Sequence, residues 1–241
     1  MKDDIDNAPA LLPPVRAKAT HRKQRSEQPQ RVKLAPTQDR SRRRNEDILQ
    51  AASELLQAVN IEDLSHSDIA QQAGISKAAI YYHYPTIAAI QRELAIRYDE
   101  ELSEFLQQRD TRFDTRDWQT YLRDGANDAK DWMNRNRPAC EALLGPRLTR
   151  ENQLVSIEMN TKVGGSSLSQ LRARYYMPDH PNLEEIISHQ GEIIDLFWSR
   201  SYLSLGFIDD TTHEEGLRAS LGYLKNYIPE RLALREPGAA A

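Results

Sequence analysis

The sequence predicts an all-α protein, with a small N-terminal helical unit and a larger C-terminal one. Three observations lead there. Apolar residues recur at helical spacing from about residue 45 onward, no alternating strand pattern or hairpin dipeptide appears, and Gly, Pro, Ser and Thr punctuate the periodic stretches. At 241 residues the chain has room for one or two domains.

Residues 1–40 read as disordered. Pro9, Pro13, Pro14, Pro29 and Pro36 interrupt any helix, and ordering this segment would cost backbone entropy with no apolar burial to offset it. A helical unit follows over residues 41–98. Ile48, Ala52, Leu55 and Val59 form a stripe that Leu49 and Leu56 widen, and Val59-Asn60 ends that helix. Ser65-His66-Ser67-Asp68 is a capping box opening a short helix that stops at Gly74. Ser76 caps a second short helix running from Lys77 to about Tyr84, where Pro85 breaks it. Thr86 caps a long helix through Leu94, Tyr98, Leu102 and Phe105.

Residues 99–241 form the C-terminal unit. Trp118, Leu122, Ala129, Trp132 and Met133 share one helical face that ends before Pro138, and a short helix covers Ala139 to Leu144 before the Gly145-Pro146 break. Gly164-Gly165-Ser166-Ser167 is expected to interrupt residues 150–177, with Leu168, Leu171 and Tyr175 resuming a helical step. Two strong helices close the chain. Ile186, Ile193, Phe197 and Leu205 mark the first, and Leu217, Leu221, Leu224, Ile228 and Leu232 the second.

Charge is distributed unevenly. Residues 1–45 carry a net +7, residues 46–98 a net −4 and residues 99–241 a net −7. From Arg16 to Arg44 eleven basic residues stand against Glu27 and Asp39, so a polyanion partner is expected at one end of the chain only. No run of eighteen apolar residues is available to span a membrane, and the N-terminus lacks the apolar stretch of a secretion signal. A soluble, cytoplasmic protein is expected. The lone Cys140 excludes an internal disulfide and multi-cysteine zinc sites. His180 and His189 with Asp179, Glu184 and Glu185 read as a loop and helix start around Pro181 rather than a metal site. With no glycine-rich phosphate loop, GxSxG or HExxH, neither an enzyme nor a cofactor is expected.

The sharpest signal is SHSDIAQQAGISKAAIYYHYP, residues 65–85. Two short helices joined by a tight turn need a small residue where they cross, which Ala70 supplies, and one that accepts positive φ, which Gly74 supplies. Ile69, Ala73, Ile75 and Ile80 fall on the face such a unit buries, leaving Lys77, Ala78, Ala79, Tyr81 and Tyr82 for solvent or a groove. That is the specification of a helix-turn-helix, whose second helix enters the major groove of DNA.

Residues 42–98, and DIAQQAGISKAAIYYHYP above all, resemble the DNA-binding domain of the TetR family of one-component transcriptional regulators. The resemblance covers about a quarter of the chain. It implies a three-helix DNA-binding domain followed by a larger helical domain that dimerises and binds a small effector. By position, Lys77, Tyr81 and His83 would approach phosphates or groove walls, with Ser65, Ser76 and Thr86 at the helix starts beside them. Ala78 and Ala79 would face base edges, where their methyls can meet thymine methyls but donate no hydrogen bond, and Tyr82 can supply a hydroxyl. Tyr84 is expected to pack. The family's lysine shortly after the proline is Ile87 here, and Ala79 stands where the family has a polar residue. The basic extension can make up the deficit, with Arg42, Arg43 and Arg44 and upstream basic residues forming an arm on the backbone or in the minor groove.

In the C-terminal unit Trp118, Trp132, Met133, Tyr175, Phe197, Trp198 and Tyr202 are the large side chains able to line an effector pocket. The closing helices, through Ile193, Phe197, Leu217, Leu221, Leu224 and Ile228, are expected to form the dimer interface, and a two-fold axis matches a palindromic double-stranded operator. The expected function is a homodimeric repressor released from its operator by a small molecule. The alternative is a nonspecific architectural or adaptor protein that binds nucleic acid through its basic extension.

Overall fold

The computed structural model describes residues 36–108, 117–147 and 149–235. Among them are nine α-helices and no β-strand beyond an isolated bridge between Tyr175 and Leu234. The first four helices are α1 (Pro36–Leu55), α2 (His66–Ala73), α3 (Lys77–His83) and α4 (Ile87–Gln107), with a 3₁₀ turn at Ile61–Asp63. The next five are α5 (Trp118–Arg135), α6 (Arg137–Leu143), α7 (Arg150–Arg174), α8 (Leu183–Leu205) and α9 (Asp210–Leu224).

Short-range chemistry sets the ends of the N-terminal helices. Ser65 accepts a hydrogen bond from the Asp68 amide, Ser76 from that of Ala79 and Thr86 from that of Ala89. Each satisfies an amide that the first helical turn leaves without an intrahelical acceptor. Gly74 ends α2 at φ 64°, a left-handed conformation that any Cβ would strain. Ile48, Leu56, Ile61, Ile69, Ile80, Ile90 and Leu94 make the fully buried core of this region. Two details differ from the sequence expectation. Helix α1 begins at Pro36, not Ser41, because proline is compatible with a first helical turn, whose amide needs no intrahelical acceptor. It ends at Leu55, and Arg137 of α6 donates to the freed carbonyls of Leu56 and Val59. A guanidinium from a distant segment thus closes the C-terminal end of α1.

In the C-terminal half the glycines at 164 and 165 do not interrupt α7, which runs unbroken over 25 residues. A Cβ on Gly164 would lie 2.8 Å from the backbone nitrogen of Ser188. The small residue is there so that α7 and α8 can approach closely. Helix α9 is shorter than its apolar period: it ends at Leu224, because Pro229 disfavours helical geometry at Ile228. Ile228 is still buried, and Leu232 packs beside it as the chain folds back, with Trp118 Nε1 donating to the Pro229 carbonyl at 2.8 Å. One apolar core runs from Ile48 in α1 through Met133 and Leu144 to Trp198 and Tyr202 in α8, so both halves share it. A second gathers Trp118, Leu171, Leu183, Ile187, Leu224 and Ile228. The boundary expected at residue 98 falls inside α4, which belongs to both halves.

Candidate nucleic-acid interface and ligand cavity

Helix α3 turns Lys77, Ala78, Tyr81 and Tyr82 outward, with Ala79 and His83 half-buried and Ile80 and Tyr84 in the core. Tyr82 is 83% exposed, the most exposed of the large apolar side chains in this region. Tyr81 stacks on His66 of α2, ring centroids 4.2 Å apart, and the Lys77 ammonium stands 5.9 Å over the Tyr81 ring. His66 in turn hydrogen-bonds the Tyr84 carbonyl through Nε2 at 2.9 Å. The outward face of α3 is therefore braced by α2 through one imidazole. Ser65, Ser76 and Thr86 spend their hydroxyl oxygens as caps. The other two cations of residues 46–98 serve the fold. Arg92 pairs with Glu93, and Arg97 bridges Glu46 of α1 and Glu101 of α4. Lys77 is left as the cation of this face. In α1, Arg40, Arg42 and Arg43 are exposed and Arg44 half-buried, while the basic residues of 1–35 lie outside the described residues.

A cavity of about 230 Å³ lies between α4, α5, α7 and α8, with the end of α6 against it. Leu102, Leu106, Leu122, Met133, Met159 and Trp198 contribute its apolar wall. Of the seven side chains expected to line a pocket, Met133 and Trp198 do so. Trp118 and Tyr175 belong to the second core, Trp132 packs beside the first, Phe197 lies against Gly216, and Tyr202 hydrogen-bonds Glu141. The lining also contains two carboxyls, Asp99 of α4 and Asp195 of α8, that sequence reasoning missed. Asp195 had a usable signal, since it interrupts the apolar run Ile193-Ile194-Asp195-Leu196-Phe197-Trp198. Asp99, beside Glu100 and Glu101, looks like any solvated helix position. Burial, assisted by the charge of Asp195, pushes the Asp99 carboxyl up to about 6, and burial also raises that of Asp195. A wider groove of about 970 Å³ between α5 and α9 is polar, and the Arg123–Glu214 ion pair at 2.7 Å belongs to its lining.

Helix α6 connects the cavity to the N-terminal helices. Leu143 and Leu144 at its end line the cavity. Within α6 the buried Glu141 accepts from the Ile61 amide at 2.8 Å, from the Tyr202 hydroxyl, and from Arg137, with which it pairs at 3.2 Å. Arg137 holds Leu56, Val59 and Asn60. A second polar joint ties α4 to the start of α7. Gln91 donates to the Pro146 carbonyl at 2.8 Å, and Asn152 Nδ2 donates to Gln91 at 2.6 Å and to the Ala88 carbonyl at 3.2 Å. Cys140, beside Glu141, donates to the Met133 carbonyl, and burial pushes its thiol up to about 12, well outside the reactive range.

The residues expected to face a second subunit divide by exposure in the single chain. Leu217, Leu221, Leu224 and Ile228 are buried within the chain itself, because α9 turns its apolar stripe onto α5, α8 and the returning C-terminal segment. Ile193 and Phe197 are half-buried. On α8 the apolar side chains left outside are Leu196, Leu203 and Leu205, with Phe207 just after the helix, all at least 50% exposed. Among the described residues no helix is long and apolar enough to cross a membrane, and no group of three potential metal ligands converges.

Residues 48–94 match the family model described as bacterial regulatory proteins, tetR family. Among solved structures, the chain is similar to a TetR-family transcriptional regulator from Streptomyces coelicolor, at 21% identity and a TM-score of 0.56 over 76% of this chain and 99% of that one. It is also similar to a TetR transcriptional regulator from Rhodococcus sp. RHA1, at 14% identity and a TM-score of 0.55 over 78% and 98%. A third similar structure is the multidrug binding protein EbrR complexed with imidazole, at 17% identity and a TM-score of 0.56 over 88% and 100%. No curated protein sequence matches the chain. At residues 48–94 the protein carries the N-terminal helix-turn-helix domain of the TetR family of bacterial regulatory proteins, on the all-helical fold of that family's transcriptional regulators.

Proposed function

We propose that this chain is a homodimeric, sequence-specific repressor that leaves its operator when a small molecule fills the cavity behind α4. The observation that carries the reading is α3, a recognition helix capped at both ends whose outward face holds Lys77, Ala78 and Tyr82 and is braced by the His66–Tyr81 stack. Paired by a two-fold axis, two such helices meet successive major grooves, and the operator is then an inverted repeat. Leu196 and Leu203, seven residues apart on one face of α8, supply the apolar surface for a second copy.

Release follows from the connections of α6. An occupant between α4, α5, α7 and α8 presses on Leu143 and Leu144, and α6 carries Arg137 and Glu141, which hold the end of α1 and the turn at Ile61. The ligand-bound state then places the paired recognition helices at a spacing that no longer fits adjacent grooves. The ligand acts by binding one of two conformations more tightly, not by covering the DNA site.

The test is selection of bound fragments from random DNA with the full chain, followed by competition against unrelated duplex. The expected result is an inverted repeat preferred by about a thousandfold or more. Equal binding to all sequences at low salt would overturn the reading. It would favour a nonspecific nucleic-acid binder working through the +7 charge of residues 1–45.

A further inference from the structure

The two carboxyls of the cavity carry an inference about what fills it, resting on the reading of that cavity as the effector site. Both are half-buried, and carboxyls drawn out of water against an apolar wall are ordinarily paired with a cation, because desolvating an ionised carboxylate costs more than packing returns. Here neither has such a partner. Among the described residues no Lys or Arg lies at salt-bridge distance from Asp99 or Asp195. The cations whose charge reaches the two acids are committed elsewhere: Lys162 of α7 pairs with Glu158 at 3.0 Å, and Arg147 donates to Ser156 at 2.9 Å. Arg174, near the far wall, stands over the Tyr121 ring and donates to the Gln170 carbonyl. Glu100 and Glu192 add negative charge from α4 and α8.

Asp195 is held in place rather than left to swing away. Asn160 Nδ2 donates to Asp195 Oδ2 at 3.0 Å, and the space for the Asn160 side chain exists because residue 191 is glycine, where a Cβ would meet Asn160 Oδ1 at 3.1 Å. Trp198, on the same wall, is fixed through its indole N–H, which donates to His213 Nδ1 at 3.1 Å. The same lining includes the aliphatic side chains of Leu102, Leu106 and Leu122 and the thioether of Met159. A largely apolar cavity with two carboxyls that lack a cationic partner, on α4 and α8, is complementary to one kind of molecule. Its volume of about 230 Å³ falls below the usual range for drug-sized sites, so the occupant is small.

We propose that the cavity binds a small organic cation, an amine, amidine or quaternary ammonium carrying one apolar ring or a short chain, with Asp195 and Asp99 as its counter-ions. Neutral molecules of the same shape bind more weakly, and anions are rejected. Because burial raises both carboxyls, Asp99 to about 6, cation binding displaces protons from them and weakens as the solution is acidified.

The test is calorimetric titration of the full chain, without DNA, using three molecules that share a ring and differ in charge: benzamidinium, benzamide and benzoate. At about pH 8, benzamidinium is expected to bind at least tenfold more tightly than benzamide, with benzoate weakest. Its affinity should fall about tenfold for each unit of acidification below about 6. Asp195→Asn is expected to cost benzamidinium about tenfold or more while leaving benzamide within about threefold. If Asp195→Asn does not fold, Asp99→Asn carries the same comparison, since it removes an unfavourable buried charge. Equal binding of benzamidinium and benzamide, preference for benzoate, no binding of benzamidinium, or indifference of its affinity to both substitutions would each overturn the proposal. Failure here leaves operator binding untouched. Conversely, tight benzamidinium binding that does not weaken DNA binding would sink the release mechanism and leave the ligand class standing.

Discussion

Tyr82 and Tyr81 are neighbours of the same type with different work, and the difference lies in what each ring touches. The Tyr82 ring, 83% exposed, meets the edge of His83 at 5.1 Å between centroids, whereas Tyr81 is stacked on His66. Tyr82→Ala is therefore expected to change folding stability by no more than about 0.5 kcal/mol. It should weaken operator binding by about 1–2 kcal/mol, roughly tenfold, read by fluorescence anisotropy on the selected repeat. Asp99 illustrates the opposite balance, a residue that costs stability where it stands. Its folded pKa, about 6, lies above the unfolded value, so the folded chain binds the extra proton between about 4 and 6. Its contribution to stability is fully present below about 4 and is lost as pH rises through about 6. Asp99→Asn should accordingly be more stable than the parent above about pH 6, with the difference vanishing below about pH 4, in urea unfolding across a pH series. His213 runs the other way. Its Nδ1 accepts from Trp198, its Nε2 faces Asn127 Oδ1 at 2.8 Å, and burial holds the imidazole below its ordinary pKa. Its contribution is lost as pH falls below about 6.5. Parent and variant both contain His213, so it cancels in the comparison.

At the scale of elements, α6 is the part whose removal from the network has the clearest consequence. Glu141→Ala leaves the Ile61 amide and the Tyr202 hydroxyl without their buried acceptor, and should cost about 3 kcal/mol in folding stability. If enough fold survives to bind benzamidinium, DNA binding by this variant should respond to the cation less than in the parent. Gly164→Ala tests the close approach of α7 and α8 at a residue that does not itself line the cavity. Its Cβ meets backbone at Ser188, so the helices must part, at about 1–3 kcal/mol. In Gly165→Ala the Cβ meets only the movable Glu184 carboxylate and should cost less, both read from thermal melting. These cases separate what is legible in the sequence from what is not. The caps at Ser65, Ser76 and Thr86 and the left-handed Gly74 can be read because a cap and its amide lie three residues apart. Gly164 reads wrongly as a break because its reason, the α8 backbone, lies more than twenty residues along the chain. The apolar period past Leu224 is real as burial but not as helix, since Ile228 stays in the core while Pro229 ends the geometry. Asp99 is illegible for the same reason as Gly164, whereas Asp195 shows itself by interrupting an apolar run. A carboxyl at helical spacing looks solvated until the opposing helix is in place.

At the scale of the whole molecule the question is how an acidic protein grips a polyanion. Residues 46–98 carry a net −4, and Arg92 and Arg97 are spent on ion pairs within the fold, which leaves Lys77 as the cation of the α3 face. A homodimer doubles this deficit along with everything else, so pairing alone does not repair it. Replacing Leu196 and Leu203 together by Glu should yield a folded monomer by analytical ultracentrifugation, because both side chains are exposed in the single chain. It should also lose the half-site cooperation on which operator affinity depends. On the proposed function the missing attraction is expected from the N-terminal end, where residues 1–35 hold eight Lys and Arg against four Asp and Glu. Deleting them leaves Arg40, Arg42, Arg43 and Arg44 on α1 and should lower operator affinity at least about tenfold at low salt, the two proteins converging as salt rises. The slope of log affinity against log salt should become shallower by about 0.9 for every phosphate that is no longer neutralised. Phosphate binding carries little sequence information, so the ratio of operator to unrelated DNA should stay nearly constant while both affinities fall. If the ratio collapses instead, the arm reads the minor groove. If neither slope nor affinity moves, the extension is a linker, and α3 with the α1 arginines must account for binding unaided.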